Sequence, residues 1–178
     1  EYLGIIEEEM KRLYTMANGI LNLTKVENQS ILTNVTEYNL SEQIRLTVLL
    51  LESKWTARNI NMNIDFGEYT INANEEMMKQ VWINLLDNAI KFSPEGEEIS
   101  IRISNKNEHI YVSISGKGPH IEDEEINKIF RKFYQSDSSH STEGTGIGLA
   151  LVSRIIELHK GRIEVNSDKN INTFTVIL

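Results

Sequence analysis

The stretch EEMMKQVWINLLDNAIKFSP, Glu75 to Pro94, decides the fold of this 178-residue chain. Met78, Val81, Trp82, Leu85, Leu86 and Ala89 recur at steps of one, three and four, the pattern of a helix with one face against a core. The run stops at Ser93-Pro94, because the residue before a proline is driven out of helical geometry. Asn84, Asn88 and Lys91, spaced by four and three, put two carboxamides and one ammonium on a common face. Asparagine is a poor helix former, and such a stripe beside Leu85 and Ala89 calls for a polar partner. A magnesium-phosphate group satisfies it, since amide oxygens are hard ligands for the cation and the ammonium neutralises phosphate. The plain alternative is an exposed polar face.

Downstream of this helix, Ile99, Ile101 and Ile103, then Ile110, Val112 and Ile114, alternate as the two strands of a hairpin around the polar turn Asn105 to Glu108. The run Gln135 to Gly144 carries almost no apolar residue and predicts a mobile loop. It leads into EGTGIGLA, Glu143 to Ala150, where Gly144, Gly146 and Gly148 open a helix over Leu149 to His159. Such a turn aims backbone N–H groups and the positive helix end at an anion, so it suits phosphates. It lacks the Lys-Ser or Lys-Thr ending of a P-loop and follows no strand, so on its own it reads equally as a flexible hinge. Arg162 to Val165 and Thr173 to Leu178 are closing strands.

Upstream, Val35 to Tyr38 is a short strand, Ser41 with Glu42 opens a helix through Ile44, Val48, Leu51 and Trp55, and Ile60 to Phe66 alternates as a strand. The order predicts an α/β (α+β) fold. Helices form one layer over an antiparallel or mixed sheet, a two-layer sandwich rather than a βαβ parallel sheet. In the first 28 residues Leu3, Ile6, Met10, Leu13, Ala17 and Ile20 form a heptad seam, with Glu7, Glu8, Glu9, Lys11 and Arg12 mainly off it. This predicts a long helix packing on a partner helix that precedes the segment; a helix lying on its own domain's core is the alternative. The polar Asn28 to Asn34 marks the boundary, giving an appendage over 1–34 and a main domain over 35–178.

Hydrophobic residues at 40% and charged residues at 25% exclude a disordered or fibrous chain. A net charge of -8 argues against a protein built to grip nucleic acid or anionic lipid. With no cysteine there is no disulfide framework, thiolate zinc site or thiol nucleophile. The longest apolar run, Val48 to Leu51, falls far short of a bilayer span, so any membrane anchor is expected outside this segment.

Taken in order, these segments resemble the catalytic, ATP-binding domain of bacterial sensor histidine kinases. NLLDNAIKFS is similar to the family's N box, GKGPHI stands where its first glycine-rich box belongs, IFRKFY resembles its phenylalanine box, and GTGIGLALV its second glycine-rich box. The resemblance implies a Bergerat-type sandwich, with the opening helix similar to the second helix of the dimerisation and phosphoacceptor hairpin. It implies Asn88 as magnesium ligand, Asn84 beside metal and phosphates, and Lys91 on phosphate. Gly144, Thr145, Gly146, Gly148 and Leu149 then belong to the phosphate loop, and Gln135 to Glu143 is the ATP lid. Gly116, Gly118, Ile121 and Thr173 fall at the base end, and Lys132 stands where many relatives carry an arginine that assists phosphoryl transfer. Phe130 and Phe133 are expected to anchor the lid by apolar packing. ATP and ADP with Mg2+, the receiver domain of a response regulator, and a homodimer of the full-length protein are the implied ligands and partners. The implied setting is the cytoplasmic part of a plasma-membrane receptor. In ATPase branches of the fold a glutamate activates water at the position of Asn84, which has no such basicity, so transfer to a protein histidine is expected over hydrolysis.

Two departures bear on activity. None of His109, His120, His140 and His159 has the family's phosphoacceptor surroundings, which puts the acceptor on a segment upstream of this chain. Gly116 replaces the aspartate that accepts the adenine amino proton, Lys117 replaces a common asparagine, and His120 a glycine. Ile171-Asn172-Thr173-Phe174 stands where relatives show a Gly-Thr pair. Loss of one charge-assisted hydrogen bond costs roughly 1.5–3 kcal/mol, on the order of 10- to 150-fold in affinity. The expected outcome is weaker binding, relaxed adenine selectivity, or a pseudokinase that signals with little nucleotide turnover.

Overall fold

The computed structural model describes residues 2–135 and 144–178. Its elements in order are α1 (Tyr2–Glu27), β1 (Thr36–Asn39), α2 (Leu40–Leu50), α3 (Glu52–Ala57), β2 (Asn61–Asp65), β3 (Thr70–Ala73), α4 (Glu75–Phe92), β4 (Glu98–Lys106) and β5 (His109–Lys117). Then follow α5 (Asp123–Ile126), α6 (Gly148–Leu158), β6 (Arg162–Asp168) and β7 (Ile171–Ile177). Five strands form one mixed sheet in the order β2-β4-β5-β7-β6, with β2 parallel to β4 and the other pairs antiparallel. The predicted two-layer α/β sandwich is the observed architecture.

Alternation explains the layering. Ile99, Ile101 and Ile103 on β4, Val112 and Ile114 on β5 and Val176 on β7 point into the core, while Arg102 between them is exposed. The β4–β5 hairpin pairs Ile101 with Ile114 and turns at Asn107 and Glu108, both with positive φ; β6–β7 turns the same way at Lys169 and Asn170. Over this face lie α4, which buries Met78, Val81, Trp82, Leu85, Leu86 and Ile90, and α6, which buries Leu151, Val152, Ile155 and Ile156. A polar knot joins the layer: the Trp82 indole donates to Gln43 Oε1 at 2.9 Å, Tyr38 donates to the same oxygen at 3.1 Å, and Gln43 Nε2 donates to the Glu75 carbonyl.

Several expectations are corrected. The second helix begins at Leu40, capped by the Asn39 side chain, which accepts from the Glu42 N–H at 2.9 Å. Ser41 lies in its first turn, where its buried hydroxyl donates to the Gly67 carbonyl and accepts from the Tyr69 N–H. That helix breaks at Leu51, so Trp55 belongs to α3, with its indole donating to the Val48 carbonyl. β3 was not expected; it pairs antiparallel with β1 in a separate two-stranded sheet.

α1 is amphipathic with two differently used faces. Leu3, Ile6, Met10 and Leu13 are exposed, whereas Leu23 and Val26 are buried in the main core and Gly19 abuts Ile147 at the start of α6. The linker that follows is held at Gln29, whose carbonyl accepts from Arg154, and at Thr33, whose carbonyl accepts from Asn74 Nδ2. Among the described residues no helix is long and apolar enough to cross a membrane.

Asn74 also caps α4 through its side chain, and its own N–H donates to His159 Nε2 at 3.1 Å. The imidazole therefore carries its proton on Nδ1, 2.7 Å from the Ile155 carbonyl. Burial lowers the His159 pKa below its ordinary 6.5, outweighing the opposing hydrogen bond to Ile155. The unfolded chain then binds the proton more readily than the native one, so stability is full above pH 6.5 and declines as pH falls through that value toward the depressed native pKa. Urea midpoints measured between about pH 7.5 and 5.5 should fall with pH, and His159→Gln, which keeps an acceptor for Asn74 but does not titrate, should flatten the slope.

Candidate functional site

Asn84, Asn88 and Lys91 are half-buried on α4 and line one cavity of about 660 Å3. Asn84 Nδ2 donates back to the Gln80 carbonyl at 2.7 Å, which turns Oδ1 toward the first residue of α6. A Cβ built on Gly148 would stand 2.6 Å from that oxygen, and one on Gly144 would stand 2.6 Å from the Lys91 ammonium. Glycine is what allows the approach at Gly148, whereas at Gly144 the neighbour is the far end of a flexible lysine side chain. Gly146 has φ +66°, and a Cβ there would meet the Phe133 backbone at 2.7 Å. No side chain caps α6, so its first-turn amides remain for a ligand.

The loop is braced by backbone. Phe133 N–H donates to the Gly146 carbonyl at 2.8 Å, with Phe133 itself in the left-handed region at φ +62°. The Phe133 ring is 54% exposed, so this residue supports the loop by its main chain and not by the expected apolar packing; Phe130 is half-buried. Gln135 lines the cavity and donates to the Gly144 carbonyl at 2.6 Å, while the rest of the expected lid, residues 136–143, lies outside the described residues.

Phe92, Ile114, Ile121, Ile129, Leu149 and Phe174 give the cavity its apolar lining, and Ser93 and Gly116 line it side by side. Lys91 Nζ lies over the Phe92 ring at 4.7 Å from its centroid. Thr145 also faces the cavity.

Three expected residues are placed elsewhere. Lys132 does not line the cavity, and its ammonium is bound by Glu27 of α1 at 2.6 and 2.8 Å. Thr173 pairs with Ser115 on the opposite sheet face, their hydroxyls 2.9 Å apart, while its neighbours Asn172 and Phe174 line the cavity. Gly118 packs against Asn172 Nδ2 and the Phe92 carbonyl behind the lining. Sequence reasoning missed Ser93, Asn172, the Lys54–Asp87 ion pair, and Arg12 and Thr15 of α1 as lining residues. Arg12, Gly19, Leu23 and Val26 share a heptad-spaced face beside the exposed seam, the one signal that would have placed α1 at the cavity rim.

The residues fit a magnesium nucleotide. Among the described residues no cluster of three His, Asp or Glu side chains could hold a metal alone, so a cation here relies on amide oxygen and phosphate. The glycine cradle, the α6 amides and Lys91 have the chemistry to hold phosphates, and the apolar lining has the chemistry to hold a base.

Residues 73–178 match the family described as histidine kinase-, DNA gyrase B- and HSP90-like ATPases. The sensor histidine kinase CusS of Escherichia coli O6:H1 is 29% identical over 173 residues, 96% of this chain and 36% of that protein. The chain thus spans about a third or less of the length of the curated relatives it matches. The catalytic domain of histidine kinase ThkA is similar at TM-score 0.74 and 32% identity, covering 82% of this chain and 95% of that one. ThkA in complex with the response regulator TrrA is similar at TM-score 0.81 and 30% identity, covering 99% of this chain and 50% of that one. With the N-box stripe and the glycine cradle meeting at one cavity and this match over most of the folded core, the chain belongs to the histidine kinase-, gyrase B- and HSP90-like ATPase family, as a sensor histidine kinase ATP-binding domain.

Proposed function

We propose that the chain is the catalytic part of a two-component sensor kinase that binds Mg-ATP and passes its γ-phosphoryl group to a histidine upstream of this segment. The observation that carries this reading is the convergence of Asn84, Asn88 and Lys91 with Gly144, Gly146 and Gly148 on one cavity. Asn88 and Asn84 would hold magnesium, which neutralises phosphate charge when bound. Lys91 and the glycine amides would hold the phosphates, with Gly116, Ile121 and Leu149 about the base and Gly118 behind them.

In the transfer, an imidazole nitrogen lone pair forms the bond to phosphorus as the bond to the bridging oxygen breaks, and that electron pair leaves on ADP. Asn84 offers no base to activate water, so positioning and charge neutralisation are what the site contributes. Lys132, tied to Glu27, would act in transfer only after leaving that pair.

Residues 1–34 would then be the second hairpin helix with its linker, and 35–178 the catalytic domain. The exposed seam of Leu3, Ile6, Met10 and Leu13 supports homodimerisation in the full-length protein. The ThkA–TrrA complex supports a response-regulator receiver domain as the next acceptor. Attachment to the membrane would come from other segments, with this domain in the cytoplasm. The pseudokinase reading rests on Gly116 and is decided by whether ATP binds at all.

Calorimetric titration with ATP and magnesium should give micromolar binding that weakens when magnesium is chelated. Asn88→Ala should reduce the magnesium-dependent affinity by about tenfold or more. Gly148→Ala, which drives a methyl into Asn84, should weaken binding by about tenfold with thermal unfolding still cooperative. Absence of all nucleotide binding would leave the pseudokinase reading standing. A longer chain that includes the preceding helix should form acid-labile phosphohistidine from ATP, whereas the present chain should release phosphate no faster than its Asn88→Ala variant.

A further inference from the structure

Ser93 ends α4 in a wholly buried position, and its backbone is fixed on both sides: its N–H donates to the Ala89 carbonyl at 3.0 Å and its carbonyl accepts from Arg58 Nη2 at 2.7 Å. Its hydroxyl, by contrast, has no hydrogen-bond partner. Buried polar atoms of this kind are rare enough to call for a ligand or a role. The hydroxyl lies 2.9 Å from where a Cβ on Gly116 would be, and both residues line the cavity with Ile114 and Phe174. The bare Cα of Gly116 therefore lets the Ser93 hydroxyl stand against the strand where a side chain would otherwise be, and one bond rotation can redirect its proton.

We propose that Ser93 Oγ, standing where a side chain at position 116 would otherwise be, reads the 6-position of a purine base, so that the site accepts 6-amino and 6-oxo purine nucleotides alike. This rests on the nucleotide-binding reading above and adds the base specificity to it. The physical reason is the ambivalence of the group. A carboxylate only accepts, so it selects a 6-amino group and repels a 6-oxo oxygen; a hydroxyl accepts from the first and donates to the second. The anchored Ser93 backbone keeps the hydroxyl at the wall in either orientation. The nearby Asn172 also offers an unpartnered Oδ1 and donates one of its two N–H groups to the Pro119 carbonyl at 2.8 Å, so the Ser93→Ala titration below is what separates the two residues.

The test is calorimetric titration of the chain with the magnesium complexes of ATP, inosine triphosphate and purine riboside triphosphate, which carry an amino group, an oxo group and hydrogen at position 6. ATP and inosine triphosphate should bind within about fivefold of each other, and the unsubstituted analogue about 2- to 12-fold more weakly, the worth of one neutral hydrogen bond. Ser93→Ala should bring the first two to the level of the third and leave the third unchanged. Because it deletes an unpartnered hydroxyl, it should not lower the melting temperature. Gly116→Asp, in which Ser93 must turn aside, should favour ATP over inosine triphosphate by about tenfold or more.

A native preference for ATP over inosine triphosphate beyond about 30-fold, or affinities for ATP and inosine triphosphate that Ser93→Ala leaves unchanged, would overturn the assignment while leaving nucleotide binding intact. Binding of ATP by Gly116→Asp alone would overturn it as well. If neither the native chain nor that variant binds any of the three, the nucleotide-binding reading falls, and this assignment with it.

Discussion

The site depends on an approach between two helices that leaves no room for a single methyl group. α4 and α6 pack side by side in the helical layer, and at the start of α6 the backbone comes so near α4 that a Cβ on Gly148 would stand 2.6 Å from Asn84 Oδ1. About two turns further along α4, a Cβ on Gly144 would stand equally near the Lys91 ammonium. A side chain at Gly144 would turn Lys91 aside, and one at Gly148 must push the loop away from the polar stripe. The amides of α6 and the carboxamides of α4 could not then face one ligand. Two opposed demands are met this way: Leu85 and Leu86 keep α4 in a dense core, while Asn84 and Asn88 on the adjoining face stay beside a polar cavity.

What was legible in the sequence follows from periodicity. α4, the β4–β5 hairpin and the two closing strands were readable because the 3.6 and 2.0 repeats dominate their apolar residues, although β6 and β7 run on to a shared turn that the repeats did not reveal. The phosphate end of the site was readable for a related reason: helical spacing alone places Asn84, Asn88 and Lys91 together, and a glycine triplet constrains the backbone whatever surrounds it. Thr173 fails by one residue, since strand alternation gives the cavity face to Asn172 and Phe174. β3 was invisible because only Ile71 and Ala73 of its four residues are buried. Ser41 looked like a cap, yet its hydroxyl is used at Gly67 and Tyr69, a tertiary contact that local sequence does not encode.

Lys132 shows a different limit. A motif can place a residue on a loop, but a long flexible side chain follows the nearest opposite charge, and Glu27 lies 105 residues away in sequence. Ser93 lies at the same limit from the other side. Its position as the last residue before a proline was plain, but its unpartnered hydroxyl becomes visible only when Gly116 is brought beside it by the β4–β5 pairing.

These two observations bear on how α1 is attached. Its last turns are held by burial: Leu23 and Val26 are each 4% exposed, and burying side chains of this size contributes roughly 1.5–3 kcal/mol apiece. At the same end, Glu27 holds Lys132, and because the two are 35% and 48% exposed that pair is of a class worth about 0–1 kcal/mol, so burial outweighs it as the anchor. The other end of the helix presents Leu3, Ile6, Met10 and Leu13 to solvent, while Arg12 and Thr15 line the cavity between the two. One helix thus joins a buried root, a contribution to the cavity lining and an exposed apolar seam, so its anchoring at Leu23 and Val26 fixes where the other two stand relative to the α4–α6 cradle.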